Sequence, residues 1–142
     1  MTSNPFLHIQ SSKLGIMPGE EDELVNEGMY GKACAEYLQS NLANLGYTTP
    51  FVVCEDWGWW VEVKGLEFTC GIGVYGLQID ESNELDLCVT VLTPKGKKWN
   101  WTKLRSIDTS PEVTRLHDTI RRIFENDGDV TIVRESLDFP LG

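Results

Sequence analysis

Residues 54–60 read CEDWGWW and place a thiol, two adjacent carboxylates and three indoles in seven positions. Paired carboxylates do acid–base work when both reach one substrate bond. Neighbouring residues of a strand point to opposite faces, so Glu55 and Asp56 would not converge; Asp56 is expected to bond backbone in a turn. His8 and His117 are the only histidines. His117 falls at the edge of an apolar helical stripe and reads as a boundary residue. Cys34, Cys54, Cys70 and Cys88 contain no C-x-x-C pair, which argues against a zinc knuckle or a thioredoxin-type centre. They read as free thiols packed as small hydrophobes. No G-x-S-x-G, H-E-x-x-H, P-loop or dinucleotide fingerprint occurs. GIGVYG (71–76) lies in a strand pattern with no helix after it, so it is a poor phosphate cradle. No catalytic set, metal site or cofactor is expected. An enzyme would need distant groups such as Cys54, His8 and a carboxylate to meet in a cleft.

The chain has 142 residues, 41% hydrophobic and 24% charged, which bounds it to one globular domain, 1–142. Twenty-two acidic residues against 12 basic ones give a net charge of -10. That field repels phosphate backbones and anionic membranes and favours cationic partners. KGKKWNW (95–101) mixes lysines with aromatics as single-strand binders do, but a single cluster on so acidic a chain reads as a solvated hairpin. The first residues lack the basic and apolar regions of a signal peptide, and no apolar run would span a bilayer. The expectation is a cytoplasmic protein with reduced thiols, no nucleic-acid partner and no membrane partner.

The elements that would position these residues follow from periodicity. FLHIQ (6–10) reads as a strand. The acidic run in MPGEEDE (17–23) suits a helix N-terminus, while Gly28 and Gly31 predict an irregular start or a kink. Tyr30, Ala33, Cys34, Tyr37, Leu38, Leu42 and Leu45 form one helical stripe ended by Gly46; Asn41 falls inside it and should either bond backbone or lie at an edge. PFVVCE (50–55) reads as a strand. Residues 57–63 and 66–74 alternate in phase, and a two-residue Lys64-Gly65 turn would pair Val63 with Leu66, Val61 with Phe68, Trp59 with Cys70 and Trp57 with Ile72. DESN (80–83) is a turn and LDLCVTVL (85–92) a strand. Ser110 as N-cap and Pro111 at the first helical position start a second helix, with a stripe of Val113, Leu116, Ile120, Ile123 and Phe124. DVTIV (129–133) reads as a last strand. The order β-α-β-β-β-β-α-β predicts an α+β, two-layer domain, its mainly antiparallel sheet carrying both helices on one face.

The same alternation assigns Trp57 and Trp59 to the core and turns Trp60 and Glu62 to the other face. Glu67, Thr69, Gly71, Gly73 and Tyr75 share that second face across the hairpin. In one reading Trp60 packs over Gly71, an aromatic ring restoring packing beside a strand glycine. In the other, Trp60, Glu62, Glu67 and Tyr75 form a surface for a basic protein, with the acidic run Glu20 to Glu23 beside it. A small-ligand domain is the alternative, with a pocket between sheet and helices lined by Trp57, Trp59 and Tyr37.

The segment GKACAEYLQSNLANLGYTTPFVVCEDWGWWVEV (31–63) resembles short bacterial domains in which a G-x-x-x-A-x-x-L-x-x-x-L helix leads through Gly-Tyr to an E-D-W-G-W strand. Size and acidity are similar to those of immunity proteins that neutralise bacterial toxins. The resemblance implies the helix-to-strand fold and a protein partner, and brings no catalytic residue.

Overall fold

The computed structural model describes residues 5–64, 70–92 and 110–136. Strands β1 (Phe6–Gln10), β2 (Val52–Glu55), β3 (Gly58–Val63), β4 (Cys70–Gln78), β5 (Leu85–Leu92) and β6 (Thr131–Ser136) form one sheet in the order β2-β3-β4-β5-β1-β6. Every pairing is antiparallel. Helices α1 (Lys32–Asn44) and α2 (Ser110–Glu125) complete the expected α+β order and pack on the same face. Among the described residues no helix is long and apolar enough to cross a membrane.

Strand alternation builds the core. Leu7, Ile9, Val61, Val63, Ile72, Val74, Leu87 and Val91 point inward and are fully buried. Leu38 and Leu42 of α1 and Leu116, Ile120 and Phe124 of α2 close over them. Burying each such side chain contributes about 1.5–3 kcal/mol. Tyr37 and Phe124 join the helices by stacking with centroids 6.0 Å apart. His117, expected at a boundary, is instead buried, its Nε2 3.3 Å from Glu135 but off hydrogen-bond geometry. Arg121 ties α2 to β6 through Glu135 at 3.0 Å.

The β3–β4 register differs from the expected one. Val63 pairs with Cys70, Val61 with Ile72 and Trp59 with Val74. The ladder is displaced by four residues, and Lys64–Thr69 connects the strands in place of a two-residue turn. An even displacement keeps every side chain on its face, so alternation alone does not separate the two registers. In the observed register Trp60 sits opposite Gly73 in place of Thr69. Leu66 and Phe68 lie outside the described residues.

Helix α1 ends as its sequence predicts. Gly46 has φ 99°, Tyr47 N–H donates to Leu42 O at 3.0 Å, and Gly46 N–H donates to Ala43 O at 3.1 Å, a Schellman pair. Asn41 bonds the Tyr37 carbonyl at 2.8 Å from a half-buried position. The helix start is unusual. The acidic run forms a short 3-10 turn, Glu20–Glu23, and the N-cap is Gly31, which has no side chain to cap with. Glu20 takes over that task from 11 residues away. Its fully buried carboxylate accepts from Gly31 N at 2.8 Å and from Lys32 N and Met17 N at 3.0 Å. Two of those donors belong to the helix N-terminus, where amides lack intrahelical partners and the dipole favours negative charge.

Glu20→Ala should therefore leave three amides without an acceptor and cost about 3 kcal/mol, given about 1–3 kcal/mol for each buried group left unsatisfied. Urea unfolding should show a lower midpoint with an unchanged slope, while Glu21→Ala on the exposed side of the same turn should stay within about 0.5 kcal/mol of the wild type.

Candidate functional site

The β2–β3 connection is a two-residue turn, Asp56–Trp57, closed by Gly58 at φ 155°. A Cβ at Gly58 would stand 2.6 Å from Val74 O, so only glycine fits. The turn takes Trp57 out of strand alternation. It was expected in the core; it lies instead on the sheet face away from the helices. Its ring is 5.3 Å from Tyr75 and 6.5 Å from Trp60, with the two indoles at 87°. Trp59 does point inward, and its indole N–H donates to Met29 O at 3.1 Å.

Trp60 lies over Gly71, where an added Cβ would stand 2.4 Å from the indole. Trp57 and Leu92 cover Gly73 in the same way, at 3.3 and 2.6 Å. The two glycines thus make room for the protein's own rings. The Trp60 indole N–H donates to Glu62 Oε1 at 2.7 Å, and both residues are half-buried. Tyr75 is also half-buried; burial, with Cys88 adding, raises its phenol pKa above the usual value. Of the four residues assigned to a binding surface, Trp60, Glu62 and Tyr75 share this face. Glu67 lies outside the described residues.

An acidic rim adjoins the rings. Asn26 Nδ2 donates to Asp56 O at 2.6 Å, which holds the loop after the 3-10 turn against the Trp57 turn. Asp56 was expected to bond through its side chain, yet its carboxylate is exposed and its carbonyl is the group used. Glu21, Asp22 and Glu27 are exposed, and Glu23 pairs with Lys32 at 2.5 Å. Burial first, and then Glu21, Glu20 and Glu27, raise the Tyr30 phenol above its usual pKa, which registers the local negative field. Glu20 itself, expected to face a partner, is sealed inside by the three amides it bonds.

The thiol and imidazole named above do not meet. Cys54 on β2 and His8 on β1 are separated by three strands. His8 instead stands opposite Cys88, with its Nε2 2.8 Å from Asp86, which also accepts from Gln10 at 2.5 Å. Burial raises the Asp86 carboxyl, but these two bonds outweigh it and hold the pKa below the usual range. Burial pushes the Cys88 thiol up to about 12, so it stays protonated and is no nucleophile at neutral pH. Among the described residues no group of three His, Cys, Asp or Glu could hold a metal ion.

A separate open groove of about 740 Å³ runs between the C-terminal ends of the helices, lined by Tyr37, Asn41, Tyr47, Arg122 and Asp127 among others. Of the three residues expected to line a pocket between sheet and helices, Tyr37 lines this groove, and Trp57 and Trp59 do not. Asp127 binds Lys13 and accepts from the Tyr37 hydroxyl at 2.7 Å. Lys13 first, then Tyr37 and the Asp129 N–H, lower its carboxyl to about 2.

Comparison with known proteins returned no matching family model, no matching curated protein and no matching solved structure. The outward position of Trp57 departs from the alternation read through residues 57–63 because the turn expected at Asp56 extends over Trp57 as well. Asp-Trp-Gly, with glycine where a turn must close, was the available signal.

Gly71→Ala should lift the Trp60 ring off the sheet and destabilise the fold by about 1–3 kcal/mol, the usual cost of overpacking. A red shift of tryptophan emission together with a lower urea midpoint would show it. Asp127 should titrate near pH 2 by carboxyl NMR. A depressed carboxyl stabilises the fold above its unfolded pKa of about 4, and that contribution is lost as pH falls through about 2. Lys13→Ala should bring the midpoint back toward the usual carboxylate value.

Proposed function

We propose that this protein is a protein-interaction module, of immunity or adaptor type, that binds a basic partner in the cytoplasm through the sheet face opposite the helices. The observation that carries the reading is the contact cluster of Trp57, Trp60 and Tyr75 beside Glu55, Glu62 and the exposed acidic loop. Half-buried tryptophan and tyrosine supply contact area at low entropic cost, as interface anchors do. The carboxylates steer a cationic surface toward the rings. Net charge -10 acts in the same direction over a longer range. A small-ligand domain is the second reading, supported by the groove between the helices. In that case Arg122→Ala should abolish ligand binding and Trp60→Ala should leave it intact.

The test is kinetic, on the basic protein captured from the native cell. Association should be fast and should slow as salt is added. Trp60→Ala should raise the off-rate by about 30-fold, the effect of losing roughly 2 kcal/mol at an interface anchor. Glu62→Lys should lower the on-rate and, because it releases the Trp60 indole N–H, also raise the off-rate. A partner whose affinity ignores both substitutions would refute the reading.

A further inference from the structure

The two edges of the sheet are unlike. β6 carries Arg134 and Glu135, and its ladder with β1 is broken by an irregularity between His8 and Ile9. Charges and bulges of this kind discourage strand addition. β2 has no bulge in its ladder, which runs unbroken from Val52 to Glu55 against β3, and its single charge, Glu55, stands at the strand's end. Phe51 is 44% exposed and Val53 37% exposed. No described strand lies on its outer side.

Hydrogen-bond phase decides which backbone groups of β2 are free. Phe51 O accepts from Glu62 N at 3.1 Å, so Phe51 and Glu62 are a hydrogen-bonded pair. Such pairs recur at every second residue of an antiparallel ladder. Val53 therefore bonds toward Trp60 and Glu55 toward Gly58, while Val52 and Cys54 turn their N–H and C=O groups away from β3. Their amides form a template for one more strand. Charge selects what can use it. Glu55 shares the outer face with Val53, and the exposed Asp56 follows. A second copy of the chain would bring another charge of -10 to the same edge. An extended basic segment would be drawn to it.

We propose that the partner binds by adding a strand to the β2 edge: an extended segment with an apolar side chain beside Val53 and a lysine or arginine beside Glu55. This rests on the outer-face reading above and deepens it. The added strand continues the sheet face that bears Trp60, so the partner's remaining surface meets the aromatic cluster. Main-chain bonds to Val52 and Cys54 supply affinity, and the alternate side chains supply selectivity.

Amide hydrogen exchange followed by NMR on the full chain tests it, with a capped hexapeptide of alternating lysine and valine as probe. In the free protein the Val52 and Cys54 amides should exchange faster than those of Val53 and Glu55. The lysine–valine peptide should slow Val52 and Cys54 by about tenfold or more, the mark of newly bonded amides. A glutamate–valine peptide should not. Val52→Pro removes one outward N–H and none of the bonds to β3, so it should abolish the protection with the circular dichroism spectrum unchanged. If the lysine–valine peptide shifts Trp60 and Glu62 resonances but leaves Val52 and Cys54 unprotected, strand addition is overturned and the outer-face reading stands. If no resonance on either surface moves, both fail. A dimer whose Val52 and Cys54 amides are already protected would overturn the proposal in favour of self-pairing.

Discussion

Glu20 is an ionisable side chain with no exposure to water, and three backbone amides converge on it. Burying a carboxylate is costly unless its oxygens are bonded. Here the bonds come from the two ends of a 15-residue excursion, Met17 to Gly31, which the carboxylate therefore closes. The same excursion is held to the sheet at two further points. Trp59 reaches Met29 O, and Tyr30 forms an isolated bridge with Gly76. Gly31 sits so near the sheet that an added Cβ would stand 3.0 Å from Val74 and 3.2 Å from Trp59. The start of α1 is thus fixed in position and direction over β3 and β4, and the helical layer is set relative to the sheet. The acidic loop inherits its place beside Asp56 from the same clasp.

On the opposite face a smaller packing problem is solved by complementary sizes. A strand glycine leaves a hole in the side-chain layer and weakens the strand. Gly71 and Gly73 are next to each other on one face, and each is roofed by an indole. The rings gain a flat floor and the strand regains its packing. The N–H of Trp60 is satisfied by Glu62, two residues along the same strand, so the ring is fixed without any group from the core. Contacts of this kind restrict the rings' rotamers, which would limit the side-chain entropy lost if a partner bound there as proposed.

The element order and the facing of nearly every strand residue were legible in the sequence, because period two and period 3.6 respond directly to burial. Register was not. Val61 opposite Phe68 and Val61 opposite Ile72 satisfy alternation equally well, so period two does not choose between them. Trp57 was misassigned for a related reason: one residue of turn reverses a facing, and periodicity cannot locate a turn to a single position. Glu20 was beyond reach. Its partners are amides, which every residue carries, and nothing in EEDE distinguishes the buried acid from its three exposed neighbours. At the candidate site, Trp60, Glu62 and Tyr75 were legible by phase, while the contribution of Trp57 needed the turn.

The strand order has a consequence for assembly. β2, β3, β4 and β5 are consecutive hairpin neighbours and can pair as the chain is synthesised. Among the described strands β1 comes first in the chain, yet its partners are β5 and β6, about 80 and 126 residues away in the ladder His8 to Cys88 to Arg134. Until those strands exist, Leu7 and Ile9 have no place to be buried, and the exposed edge of β5 has no neighbour. The meander can pair without β1, whereas β1 can pair on both sides only after β5 and β6 exist. Substitutions in β1 should then act mostly on how long the nascent chain stays open to aggregation or proteolysis.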